Sequence, residues 1–399
     1  PFRQQIAAQS MGQSFQCGGK FQTSLDRVLS MTSRFPITHL MEPTLNSQAG
    51  HCHALVSALS RAHPNGAASC TAWTHRDLVR HGLSPSQVRN VFSRRGRHFQ
   101  VARAAVGHLR HDQVVLSTAT TSDLLGIHLL RPFGIRRPGS LVLYVHWYYP
   151  KPRKDRFLRR FFKRHPGVIV LAPTRSTVSH LTHLGARRIE LVDYPFAGLA
   201  DRAAATAARK PPTKPAIIAA GAARMDKGLP ITVGLVETFA DDDLEVEVRI
   251  QASPTHWGDV RPEVAAELAR LDAVGYAGLN RQDATLSDEE FRAFVRDGIA
   301  LLPYDADMFR DRVSGVAVDA LIEGSPVITS AGSWMAGLVE QFDAGLVVEG
   351  SDVKSWRRAI DTVREQWESF RARAVDAAEE LARIHQPARF WEAIDRLSG

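Results

Sequence analysis

A chain of 399 residues is long for one hydrophobic core, and two domains are expected. Its composition, 44% apolar and 23% charged, is that of a folded globular protein, and no run of about 18 uncharged apolar residues could form a transmembrane helix. The net charge of +8 favours anionic partners, namely phosphates, nucleic acid or an acidic membrane face, and does not choose among them. Three cysteines, Cys17, Cys52 and Cys70, are too few for a disulfide framework or a zinc site and suit a reducing, cytoplasmic setting.

Residues 1–36 open the chain with a Gln- and Ser-rich segment whose first thirty residues hold a single acid, Asp26. They lack the apolar core of a signal peptide and are expected to be a disordered extension, or sequence upstream of a start at Met31. From residue 37 strands and helices alternate: ITHLME, HALVSALSRA, ASCTAWTH, HFQVARAAVGHL, QVVLSTA, DLLGIHLLRPF, SLVLYVHW, FLRRFFKRH, GVIVLAP, STVSHLTHL and RRIELVDYPF. Short apolar runs alternating with helical periodicity imply a parallel sheet covered on both faces. This first domain spans 37–200.

Residues 201–215 have no apolar periodicity, end in a Pro/Lys cluster and read as an interdomain linker. A second alternating series fills 216–380, from AIIAAGA through GIALLPY, GVAVDALIEG and PVITSA to GLVVEG. A helical tail at 381–399 is expected to cross back to the first domain. The fold class is α/β, with two doubly wound domains facing a cleft. Ligands then belong at the carboxyl ends of the strands.

The most informative stretch is 299–348. A buried strand ends at Pro303, a polar loop follows, and a helix begins at Ser314-Gly315. Unpaired amides at that helix end, with no side chain on Gly315, form a natural phosphate site. Asp319 lies one turn further, within reach of a sugar hydroxyl. Earlier, AAGAARMDKGL at 219–229 places Arg224 and Lys227 directly after the domain's first strand, where a planar fork and a point charge suit a diphosphate. Asp241, Asp242 and Asp243 read as a solvated, hairpin-like loop, and no Asp-x-Asp metal motif sits at a strand end.

These two stretches resemble the retaining glycosyltransferases of family 4, which have the GT-B fold. The resemblance is specific at 219–229 and 299–348. Their acidic pair spaced Glu-x7-Glu matches Asp311 and Asp319, followed by Gly324, Pro326, Val327 and Ile328. Both acids are Asp here, and the Gly-Phe-Gly segment between them is replaced. By resemblance, Asp311 lies near the donor sugar, Asp319 accepts from the ribose, Ser314 and Gly315 hold the pyrophosphate, and Lys227 and Arg224 neutralise it. The alternative for Asp311 is a solvated loop carboxylate or an ion pair with Arg310 or Arg312. Gly50 and His51 resemble the family's glycine loop ahead of the first long helix. His146, ending the strand LVLYVHW, matches a histidine near the reacting sugar. A packing or capping role is the alternative for both histidines.

The resemblance implies a hexosyltransferase that moves a sugar from a UDP- or GDP-linked donor to a glycan or lipid-linked acceptor hydroxyl, with retention. No cofactor, no metal and no nucleic acid are expected. An epimerase, or a non-catalytic nucleotide-sugar-binding protein, would use the same scaffold. The remaining signal is KPRKDRFLRRFFKRH at 151–165, where basic residues flank Phe157, Leu158, Phe161 and Phe162. It reads either as a helix held on an anionic membrane through that apolar edge, or as one packed on the sheet with solvated arginines.

Overall fold

The computed structural model describes residues 35–46, 51–78, 83, 87–253 and 261–399. The N-terminal extension up to residue 34 and Gly50 lie outside them, as does Cys17.

The first domain contains β1 (Thr38–Glu42), α1 (His51–Arg61), β2 (Cys70–His75), β3 (Gln87–Phe92), α2 (Arg97–His108), β4 (Gln113–Leu116) and α3 (Thr121–Leu130). It continues with β5 (Leu141–Tyr144), α4 (Pro152–Arg164), β6 (Ile169–Ala172), α5 (Arg175–His183) and β7 (Arg188–Leu191). Then follow α6 (Leu199–Ala207), β8 (Ile217–Ala219), α7 (Leu229–Asp241), β9 (Val248–Gln251), α8 (Pro262–Val274), β10 (Leu279–Gln282), α9 (Asp288–Phe294) and β11 (Ile299–Leu302). The chain ends with α10 (Ala306–Phe309), α11 (Gly315–Ile322), β12 (Val327–Ser330), α12 (Trp334–Phe342), β13 (Gly345–Val348), α13 (Val353–Glu365), α14 (Trp367–Ile384) and α15 (Ala388–Ser398).

Two parallel sheets result, in the orders β3-β2-β1-β4-β5-β6-β7 and β10-β9-β8-β11-β12-β13. The inner strands β4, β5, β6 and β11 are apolar runs, QVVL excepted at its first residue, and are buried throughout. Such runs are what a strand covered on both faces requires. β3 and β10 are edge strands, QVRNVF and LNRQ, whose exposed polar positions give no apolar signal, and sequence patterning missed both. Capping boxes at Thr120/Asp123 and Ser287/Glu290 start α3 and α9.

Each sheet carries apolar clusters on its two faces. On the first, Val101, Leu124, Leu158, Phe161 and Leu181 cover one side, while Leu55 and Leu59 of α1 share the other with Phe390, Trp391 and Ile394 of α15. The Trp391 indole donates to the Leu59 carbonyl at 3.0 Å. The C-terminal helix therefore completes the first domain's core.

Two expectations need correction. The stretch read as a linker opens inside a helix: Leu199 and Ala203 of α6 are buried among α11 and α14 residues, too small an apolar face to show as periodicity. Asp241–Asp243 do not form a hairpin-like loop. They end α7, with Asp243 in the left-handed region and Asp242 paired to Arg357 at 2.7 Å. Of the two readings left open for the basic helix, packing on the sheet is the one found for its apolar edge: Leu158, Phe161 and Phe162 of α4 are buried in the first domain's core.

Among the described residues no helix is long and apolar enough to cross a membrane.

Candidate functional site

In an open parallel sheet the strand order reverses at one place, and the loops there diverge to leave a crevice at the carboxyl edge. In the second sheet that place lies between β8 and β11; in the first it lies between β1 and β4.

The loop after β8 begins at Gly221, whose φ of +98° suits glycine. A Cβ there would collide with the Lys227 ammonium, which lies against this backbone. Gly228 (φ +72°) ends the turn at Met225–Lys227, pressed so close to the Pro303 carbonyl that a side chain would not fit. These two glycines fold the loop onto the end of β11. Lys227 Nζ sits 5.3 Å from the centre of the Tyr304 ring. Arg224 forks onto Asp226 through Nε and a second nitrogen. Ser314 caps α11, its hydroxyl accepting from the Ala317 amide at 3.3 Å, and Val316 in the first turn faces Gly221. Lys227, Arg224, Ser314 and Gly315 thus gather on one crevice.

Electrostatics define what this crevice wants. Burial, then the charges of Arg224 and Arg312, push the Lys227 ammonium down to about 8. Burial and Arg224 likewise hold Arg312 below its ordinary value. Asp226 is the carboxylate that opposes both shifts. Three cations facing one carboxylate at a helix N-terminus repel one another until an anion enters. The Tyr304 hydroxyl, buried beside Ser314 without a well-formed hydrogen bond, is a polar atom that ligand oxygen would satisfy.

The acidic pair is engaged elsewhere. Asp311 accepts from the Ser176 hydroxyl of α5, a bond that joins the two domains. The expected alternative partners do otherwise: Arg310 pairs with Asp307 at 2.6 Å, and Arg312 stacks over Phe309 and over Trp147 of the first domain, at 5.1 and 5.7 Å. Asp319 binds Arg202 of α6 at 2.8 Å. Burial pushes its carboxyl up although Arg202 pulls the other way. His146 hydrogen-bonds through Nε2 to the Ser117 carbonyl and packs edge-on against Tyr144 and Tyr194. Its chain neighbour Trp147 meets Arg312 across the cleft. His51 is the first residue of α1.

Sequence reasoning passed over Arg312 as a site residue, although a cation two residues ahead of a helix cap is a readable sign. It also passed over Glu42, the acid ending β1. Glu42 is fully buried at the first sheet's crevice and accepts from the Thr44 amide (3.1 Å), the Ser117 hydroxyl (2.8 Å) and Thr118. Burial pushes its carboxyl up. Ser117 thereby links Glu42 to His146.

One group of metal-type ligands occurs among the described residues, His39, His108 and Asp112. The Trp73 indole donates to His39 Nδ1 at 3.1 Å, which leaves the neutral ring's proton on Nε2. That nitrogen therefore donates to Asp112 at 3.2 Å and offers no lone pair.

No protein-family model matches the sequence, and no curated protein matches it. Solved structures match over nearly the whole chain. A UDP-forming α,α-trehalose-phosphate synthase from Burkholderia xenovorans aligns with TM-score 0.63 and 10% identity, over 92% of this chain and 100% of the other. A sucrose-phosphate synthase from Thermosynechococcus elongatus gives 0.64 and 14%, over 90% and 96%. A glycosyltransferase from Rickettsia africae gives 0.66 and 10%, over 92% and 99%. At these identities the likeness is one of fold: the chain has the two-domain α/β architecture of these GT-B proteins.

Proposed function

We propose that the chain transfers a hexosyl group from a nucleotide sugar, UDP-linked by analogy with the neighbours named as UDP-forming, to an acceptor hydroxyl with retention at the anomeric carbon. The observation that carries this is the surplus of cations at the second sheet's crevice, opposite the first domain's aromatic strand end. In the reaction the bond between the anomeric carbon and the diphosphate oxygen breaks, the acceptor oxygen bonds to that carbon, and the acceptor proton is lost. Negative charge grows on the departing diphosphate. Lys227, Arg224, Arg312 and the amides of Ser314 and Gly315 are aimed at that charge, which is electrostatic stabilisation of the transition state. Asp319 receives the ribose hydroxyls beside Arg202. His146 and Asp311 flank the sugar, and Gly50 and His51 are assigned to the acceptor side on the sequence resemblance alone. The acceptor is a glycan or lipid-linked hydroxyl.

A second reading has a specific observation behind it. Both acids are already bonded, Asp311 to Ser176 and Asp319 to Arg202, as a protein that binds a nucleotide sugar without turning it over could tolerate. Two measurements separate the readings. Thermal shift against UDP, GDP and ADP should show stabilisation by UDP above the others. UDP release from UDP-sugars with mixed acceptors should then occur. Binding without release supports the second reading, and neither binding nor release removes both. Asp319→Asn should weaken UDP binding by about 1–3 kcal/mol while leaving the chain folded.

A further inference from the structure

The outward side of α3 is unusual for a helix that borders solvent. In TSDLLGIHLL the one charged residue, Asp123, is turned inward and 1% exposed, serving the cap. Outward stand Leu125, Leu129 and Leu130, and the loop that follows ends the row with Phe133. Leu129 is 70% exposed and Phe133 89%. A large apolar ring left almost wholly in water, at the end of a leucine row, needs a reason.

The row lies against the basic helix. The His128 and Phe157 rings, one from α3 and one from α4, meet at 5.8 Å. Gly134, beside Phe133, rests on the Arg164 carbonyl that ends α4, and the Ile135 amide donates to His165 at 3.1 Å. Phe133 is thus fixed next to the exposed Lys163 and Arg164. Along α4, Arg153, Arg156, Arg159 and Arg160 are exposed as well. Charge is partitioned on a larger scale too. Residues 37–200 hold 23 Lys and Arg against 7 Asp and Glu, whereas residues 201–399 hold 23 against 34.

We propose that α3, its Phe133 loop and the outer face of α4 form a docking surface for an anionic lipid bilayer. The arginines and lysines meet headgroups, and Leu129 and Phe133 enter the interface. The division of labour differs from that expected of a lone amphipathic helix: α4 supplies charge only, its phenylalanines being committed to the core, and α3 supplies the apolar contact. Charge complementarity selects the occupant, because a neutral apolar partner would leave the flanking cations unpaired. The surface stands independently of the donor-site reading.

The test is co-sedimentation of the full chain with vesicles of phosphatidylcholine alone, or mixed with phosphatidylglycerol. Binding is expected only to the mixed vesicles, and it should fall as salt rises. Replacing Arg156, Arg159, Arg160 and Lys163 by Gln should abolish it, each charge being worth roughly fivefold in partition. The double change Leu129→Ser with Phe133→Ser leaves every charge in place and should cut partition at least about tenfold. Both sites are exposed, so circular dichroism and melting should be unchanged. No sedimentation with anionic vesicles at low salt would overturn the proposal. Undiminished binding by the serine variant would also overturn it, leaving adsorption by charge alone. So would a concentration-dependent dimer that the serine variant dissolves, since a second copy would then be the occupant.

Discussion

Lys227→Ala should lower the turnover of UDP-sugar by roughly 10²–10³, the loss seen when one preorganised charge-stabilising group is removed. The ammonium is held against the Gly221 backbone and the Tyr304 ring. Its lowered pKa, to about 8, adds two signatures. Above pH 8 the unliganded amine is neutral and must take up a proton when the diphosphate binds. UDP affinity should therefore fall with rising pH above 8, by up to about tenfold per unit, and this slope should vanish in the alanine variant. Stability runs in the opposite sense. The unfolded amine, near its ordinary 10.5, binds more protons than the folded one between pH 8 and 10.5, so stability from this group rises with pH across that window. Below pH 8 the full cost of the buried charge is present. Lys227→Met should accordingly raise stability at pH 7, by about 2 kcal/mol, while removing activity. A Met variant less stable than the parent, with activity intact, would show that Lys227 is a packing residue.

Glu323→Gln should destabilise the chain by about 3 kcal/mol, the scale for breaking a buried ion pair by removing one partner. Glu323 is 2% exposed at the end of α11 and pairs with Arg202 (3.0 Å), Arg209 (3.4 Å) and Arg296 (3.4 Å). Asp297 extends the network, binding Arg209 at 2.7 Å and Arg371 of α14 at 3.0 Å. Asp319 joins through Arg202. The network lies behind the helix whose N-terminus faces the proposed diphosphate, and it fastens α6 and α14 to it. Denaturant melts should show the loss. UDP affinity should fall too, because Arg202 would be freed to pull Asp319 away. A change below about 0.5 kcal/mol would mean that the arginines find solvent without cost.

The two sheets were legible because their central strands, such as LVLY and IALL, are continuous apolar runs between helices. The edges were not: QVRNVF and LNRQ are half solvated and carry no such run. Local chemistry at the second sheet's crevice was also legible, since glycine next to Lys227 and a serine cap before α11 are written in sequence. What was not legible depends on partners far along the chain. Nothing near Asp319 announces Arg202, 117 positions earlier, and nothing near Asp311 announces Ser176. α6 escaped because alanines bury a narrow face that leaves no apolar period. The phenylalanines of α4 show the converse: a strong local pattern fits a membrane and a core equally well, and only the packing partners decide.

The crossing of α15 onto the first sheet has a consequence for synthesis. Phe390, Trp391 and Ile394 fill one face of a domain whose strands were all made about two hundred residues earlier. At about 5–20 residues per second, the first domain waits on the order of ten seconds or more for its final helix. During that interval the face of Leu55 and Leu59 is open, and a chain truncated after residue 386, between α14 and α15, should be cut readily by protease within residues 37–200. The second domain closes on its own helices and should resist. Folding order along this chain is thus inverted: the domain translated first is the last to be finished.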